Sequence, residues 1–455
     1  MHSTILGAIV TVCATISGES IHMILTTEDG THQLSEQPAL EWRDGIGERG
    51  TVITVDPATT YQPILGLGAS LDHATAYNLS LLDPETRREV MRRIVDPVEG
   101  IGMNLMRLSI GTSDFTGDPW YTYADVPEGE SDWDLETFSI EKDRDYLLPV
   151  IKLAQEMNPD IVFFASPWSP PAWMKTPQTL TGGSINPKFY DAHARYMVKF
   201  IRAYEAEGIK IHAVTPQNEP DFPEPNYPTT KWTGAQQRDY VRDHLGPLLE
   251  REGLDTEIWV WDHNWNKLSF PRTILNDAEA KRFVGGVGFH HYEGRPTAQT
   301  TLRDEFPDVP IYFTEGSTFG AHGAVTIAEI LRNWARSYNA WVIMLDTNQK
   351  PNNGPHSATP TGIELVPETL EVRYNHDYFM YGQFMKYIQR GAVRIDSTEG
   401  TRGFSNIAVR NPDGTITMVV ANAKRSPELV TINCLGRSAT VRLPARATAT
   451  FVWMP

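Results

Sequence analysis

About eight times between residues 64 and 346, a short apolar run suited to a β-strand is followed by a segment with helical spacing, and polar or aromatic side chains crowd the end of the run. The runs are 64–72, 104–110, 161–165, 212–214, 257–261, 284–289, 310–315 and 341–346, and the helical segments include 139–153, 188–207, 234–251 and 324–337. One helix declares both of its ends. Asp83 stands as N-cap, Pro84 fits the first turn, Val90, Met91, Ile94 and Val95 form one stripe, and Pro97 stops it. Alternation of this kind gives a parallel sheet covered by helices, and eight repeats close it into an α/β (β/α)8 TIM barrel whose working face is the C-terminal lip of its strands.

The ends of the chain read differently. After a last helix over 378–388, runs at 406–410, 415–421, 438–443 and 448–453 are separated by Asn-Pro-Asp-Gly and Leu-Gly turns, and residues 21–55 share that character. Both termini are therefore expected to pair into one antiparallel β-sandwich packed beside the barrel. This divides the chain into 21–60 (N-terminal strands of the sandwich), 61–375 (barrel) and 376–455 (C-terminal sandwich). Residues 1–20 carry an apolar run, 5–16, too short to span a bilayer and followed by mostly small residues. It reads as a signal peptide, which implies a secreted or periplasmic protein. No Lys or Arg precedes Arg43, so an extra strand, and with it a cytoplasmic location, stays open.

Charge and cysteine content remove several functions. A formal net charge of −17 disfavours nucleic acid, whose binding is built on neutralised phosphates, and suits a neutral or cationic substrate. The two cysteines make neither a disulfide framework nor a zinc cluster. No third glycine follows Gly66 and Gly68 at dinucleotide-loop spacing. His290 and His291 are neighbours on a strand and point to opposite faces, and there is no His-Glu-x-x-His, so no metal and no cofactor is expected. The 12 Trp, 17 Tyr and 17 Phe suit the apolar faces of sugars, although most such rings fill cores. The expected partner is a carbohydrate or glycolipid, without stable membrane insertion.

Two glutamates stand at strand ends. Pro216 and Pro220 stop the backbone around Asn218-Glu219, and Glu315 ends the run 310–315. Paired carboxylates across a cleft are what glycosidic hydrolysis requires, one protonated to assist the leaving oxygen and one ionised to attack or to activate water.

The chain resembles retaining β-glycosidases of glycoside hydrolase family 30, the glucosylceramidase family. The similarity runs from about Leu25 to Trp453 and is carried by Leu65-Gly-Leu-Gly-Ala-Ser-Leu-Asp72, Asn104-Leu-Met-Arg107 with Ser113-Asp114-Phe115, Ala165-Ser-Pro-Trp168-Ser-Pro-Pro-Ala-Trp173, Val214-Thr-Pro-Gln-Asn218-Glu219-Pro220, Phe313-Thr-Glu315, and the segment 381–395. The resemblance implies Glu219 as acid/base and Glu315 as nucleophile, about 5 Å apart, with Glu219 kept protonated by burial and by its negative neighbour. It further implies that Asn218 binds the sugar 2-hydroxyl, that Asp114, Trp168 and Trp341 hold the rest of the sugar, and that Tyr292 hydrogen-bonds the nucleophile. His290 and Arg107 complete the candidate substrate-binding set. Duller roles stay open: Asp114 as an N-cap, the tryptophans as core, Tyr292 as a loop anchor, and Arg107 as a buried partner for a carboxylate. Leu67, Gly316-Ser317 and Asp346 depart from the family pattern and bear on sugar and aglycone choice. The implied activity is double-displacement hydrolysis of a β-glucoside of the glucosylceramide or β-1,6-glucan kind. A β-xylosidase or β-fucosidase of the same family, or a catalytically silent carbohydrate-binding protein, is the alternative.

Overall fold

The structure is a computed structural model that describes residues 19–358 and 360–455. The candidate signal peptide lies almost wholly outside the described residues. Eight parallel strands form the barrel: β1 (Gly66–Ala69), β2 (Leu105–Ile110), β3 (Val162–Pro167), β4 (Ile211–Val214), β5 (Glu257–Asn264), β6 (Val284–His290), β7 (Ile311–Glu315) and β8 (Ser337–Ala340). Strands β2 to β7 make a continuous ladder. β8 pairs with β1 from Ser337 opposite Gly66 to Ala340 opposite Ala69, and single bridges, Ser70 to Arg107 and Gly316 to Ala340, close the ring.

The last strand corrects the sequence reading. The apolar run 341–346 is not the eighth stave. The helix before it, Gly320–Arg332, ends early because Trp334 takes a left-handed backbone (φ 72°), and this frees residues 337–340 to enter the barrel. Met344–Asp346 instead pairs with Ile363–Val366 in a small sheet outside the ring.

Side-chain alternation builds the barrel interior in layers. Leu105, Phe164, Ala213, Trp259 and Tyr312 form an apolar floor, with the Trp259 and Tyr312 rings stacked 3.9 Å apart. Two residues further along four of these strands, the inward positions turn polar: Arg107, Ser166, Thr215 and Thr314, all buried. β6 contributes Gly286, Gly288 and then His290. A Cβ on Gly286 would lie 2.4 Å from the Tyr312 ring and one on Gly288 would lie 2.9 Å from Thr314 Oγ1, so side chains from β7 occupy that space.

β5 breaks the rule. Strict alternation would aim Trp261 inward above Trp259. Trp261 and Asp262 both adopt positive φ (73° and 58°), and the register with β6 shifts between Trp261 and His263. This bulge turns Trp261 against Phe270 in the helical layer and swings Asp262 into the polar layer.

Among the described residues the termini build a ten-stranded sheet with its own core. Ser20–Thr27 pairs antiparallel with Ala447–Trp453, and Thr51–Pro63 lies between Val393–Ser397 and Glu428–Cys434. The strands 393–397 and 428–434 go beyond the runs read from the sequence. Helix Gly320–Arg332 faces this sheet, and Arg332 donates to Ser397 Oγ and to the Ser397 carbonyl, both at 2.8 Å.

Candidate active site

The polar layer is centred on Asp262, which is fully buried. Its carboxylate accepts from Arg107 Nη2 (2.8 Å), from the hydroxyls of Ser166 (2.9 Å), Thr215 (2.8 Å) and Thr314 (2.7 Å), and from His290 Nε2 (3.0 Å). Burial alone would neutralise it, but Arg107, His290 and Thr314 hold it far below the usual carboxylate range. From Asp262 the layer reaches the lip in two directions. Arg107 donates to Glu315 Oε2 and to Asn218 Oδ1 (2.8 Å), and His290 Nδ1 lies 2.9 Å from Glu219 Oε1.

Glu219 and Glu315 thus meet around one imidazole. Glu315 Oε1 lies 3.9 Å from the same Nδ1. The two carboxylate oxygens are therefore no further apart than those two distances end to end, and they stay within the ~6.5 Å at which inverting pairs begin unless the angle at Nδ1 opens beyond about 145°. Glu219 holds a left-handed backbone (φ 47°), and its amide donates to the carbonyl of Asp262 (3.1 Å), so the β5 bulge also fixes this loop. Tyr292 donates to Glu315 Oε1 at 2.7 Å. Burial of its hydroxyl and the adjacent Glu315 raise that hydroxyl well above the usual phenol range, so it remains a donor.

Protonation at Glu219 differs from the sequence expectation. Burial would raise it, but the imidazoles of His263 (3.4 Å from Oε1) and His290 outweigh burial and carry it well below the usual carboxylate range. His290 moves the opposite way. Burial disfavours its charge, yet Glu315, Asp262 and Glu219 raise it to about 9. In the resting site the proton between the two therefore sits on the imidazole.

Above this pair is a cavity of about 560 Å³ lined by Asp114, Trp168, Asn218, Glu219, Tyr292, Glu315 and Trp341. Trp168 and Trp341 stack with centroids 5.1 Å apart, and Phe115 meets Trp341 edge-on. Asp114 is raised well above the usual carboxylate range, first by burial and then by Glu315, so a neutral acid faces the cavity and can donate as well as accept. Asn218 Oδ1 is engaged by Arg107, which leaves its amide nitrogen as the end offered to a ligand. Arg107 and His290 are corrections to the expected sugar contacts. Both are 0% exposed, and their nitrogens are bound to carboxylates and to Asn218 and Ser166, so they act through the glutamates. Asp262 and His263 were not singled out from the sequence. Their one signal was their place at the lip of the fifth strand.

The pattern given by the "Glycosyl hydrolase family 30 TIM-barrel domain" model matches residues 64–352, and that of the "Glycosyl hydrolase family 30 beta sandwich domain" matches 391–451. The chain belongs to glycoside hydrolase family 30. It is 31% identical over 436 residues to the endo-1,6-beta-D-glucanase neg1 of Aspergillus fumigatus, covering 88% of this chain and 87% of that protein. It is 30% identical to the lysosomal acid glucosylceramidase of Mus musculus, covering 89% and 84%. Among solved structures, the endo-beta1,6-glucanase BT3312 superposes with a TM-score of 0.86 at 29% identity, covering 96% of this chain and 99% of that one. As a family 30 member the protein is a glycoside hydrolase with a barrel and a sandwich domain. Among the described residues no helix is long and apolar enough to cross a membrane.

Proposed function

We propose that this enzyme hydrolyses β-1,6-linked glucan by retaining double displacement, with Glu315 as nucleophile and Glu219 as acid/base. The observation that carries the mechanism is the pairing of the two glutamates around the single Nδ1 of His290. Arg107 and Tyr292 donate to the two oxygens of Glu315, which orients it for attack on the anomeric carbon. Glu219 delivers to the leaving oxygen the proton that it draws from His290 Nδ1 across their 2.9 Å contact, and then takes one from the incoming water. The hydrogen bond from His290 fixes Oε1, so Oε2 is the oxygen that faces the glycosidic bond. The amide of Asn218 meets the sugar 2-hydroxyl, a contact that strengthens as the ring approaches the oxocarbenium state.

Glucan is favoured over lipid by the far wall of the cavity. Asp221, Asn264, Asn266, Glu293 and His356 line it together with Phe222 and Tyr227, a mixture that suits a second sugar, with hydroxyls to bond and an apolar face to stack. The endo-1,6-glucanase relatives are in keeping with this. Export from the cell fits a polymeric substrate and is part of the same proposal.

The test is a panel of β-1,6-gluco-oligosaccharides, β-1,6-glucan, β-xylosides and glucosylceramide, with proton NMR of the first anomer released. The expected result is the β-anomer from β-1,6-linkages. Preference for glucosylceramide would overturn the substrate, and an α-anomer would overturn the mechanism. Glu315→Ala should abolish turnover of an aryl β-glucoside while the fold persists.

A further inference from the structure

We propose that the acid/base end of the cavity is also a binding site for a borderline-soft divalent cation such as zinc, held by Glu219 Oε1, His263 Nδ1 and His290 Nδ1, and that the enzyme is silent while the cation is bound. One donor atom from each of these three residues lies within 4.8 Å of those of the other two. Glu219 Oε1 is 3.4 Å from His263 Nδ1 and 2.9 Å from His290 Nδ1. Ligands at ~2.1 Å around a tetrahedral zinc stand ~3.4 Å apart, so the edge from Glu219 to His263 is already at its required length and the edge from Glu219 to His290 has to open by about 0.5 Å.

Two further observations point to a ligand. His263 Nδ1 is buried, in a residue only 7% exposed, and it has no hydrogen-bond partner, because its approach to Glu219 is close but misdirected. A buried ring nitrogen is thus left facing Glu219 without a directed hydrogen bond. His290, for its part, has Nε2 3.0 Å from Asp262 Oδ1. That is the carboxylate–histidine arrangement which fixes the tautomer with Nε2 protonated and presents Nδ1 to a metal. On binding, the proton at Nδ1 leaves to solvent and the cation takes its place.

The donor set also selects the ion. Two imidazoles and one carboxylate oxygen suit zinc, whereas magnesium and calcium require six or more oxygens. Three protein ligands leave a fourth position, and since Glu219 and His263 both line the cavity, that position opens where the aglycone would lie. Arg107 is held by Glu315 and Asp262, so the surrounding carboxylates keep the cluster attractive to a dication.

With Glu219 coordinated, no proton passes to or from the leaving oxygen, and the cation and substrate exclude each other. This consequence rests on the acid/base reading of Glu219, whereas the binding itself does not.

The experiment uses the full chain after dialysis against chelator. Zinc chloride is titrated by calorimetry, and in parallel the turnover of an aryl β-glucoside is followed. One zinc per chain, inhibition competitive with substrate, recovery on adding EDTA, and no effect of equal magnesium are expected. His263→Asn and Glu219→Gln should each weaken binding by about tenfold or more, with thermal unfolding confirming that both fold. Zinc binding to His263→Asn as to the parent, or inhibition that is not competitive, would overturn the proposal. A preparation that binds zinc here yet turns over no glycoside would sink the catalytic reading and leave this one standing.

Discussion

Glu219 is held by groups that pull in opposite directions, and that tension defines its behaviour. Burial favours its neutral acid, while the imidazoles of His263 and His290 favour its carboxylate and prevail. Since the first step needs the proton that Glu219 and His290 share, the alkaline limb of the kcat/KM profile reports the loss of that proton from the pair. Removing an imidazole neighbour must raise that ionisation. His263→Asn is accordingly expected to move the alkaline limb upward by about one pH unit, read from pH profiles with an aryl β-glucoside. A role confined to packing would lower the profile without moving it. Glu219→Ala should cost about 10²–10⁴-fold on substrates with poor leaving groups and far less on activated ones. Equal losses would remove the acid role.

The fifth strand is the element on which the site depends. Its bulge turns Asp262 inward, where one carboxylate organises Arg107 and His290, and through them both glutamates. Asp262→Ala leaves the guanidinium of Arg107 buried with one of its two carboxylates gone. Loss of such a partner costs about 3–5 kcal/mol, measurable as a lower urea midpoint. Activity should fall with it, because Glu219 loses the imidazole orientation that Asp262 sets. Unchanged stability together with unchanged turnover would show that the polar layer does not support the site.

At the scale of the whole molecule, the two ends of the chain act as one element. Thr51–Pro63 sits between two C-terminal strands, and Ser20–Thr27 extends the sheet beyond Ala447–Trp453. A chain beginning at residue 64 would leave those strands with open edges and the core of the sheet without Ile21, Met23, Leu25, Ile53 and Val55. Such a truncation is expected to aggregate. A soluble product with one cooperative thermal transition would refute the interdependence.

What the sequence determined by itself is local in origin. Strand-then-helix periodicity encoded the barrel, and prolines around Asn218-Glu219 encoded a lip. The alternating ends encoded a sheet, because each of these patterns is written in neighbouring residues. Tertiary structure decided the rest. Trp341 follows the eighth strand instead of opening it because Trp334 breaks the preceding helix, and an apolar run cannot say which segment fills the last gap in a ring. Asp262 faces inward only because a bulge overrides alternation. The protonation of Glu219 follows from imidazoles that arrive from two other strands, and charges acting through space have no spacing in the chain by which to be recognised.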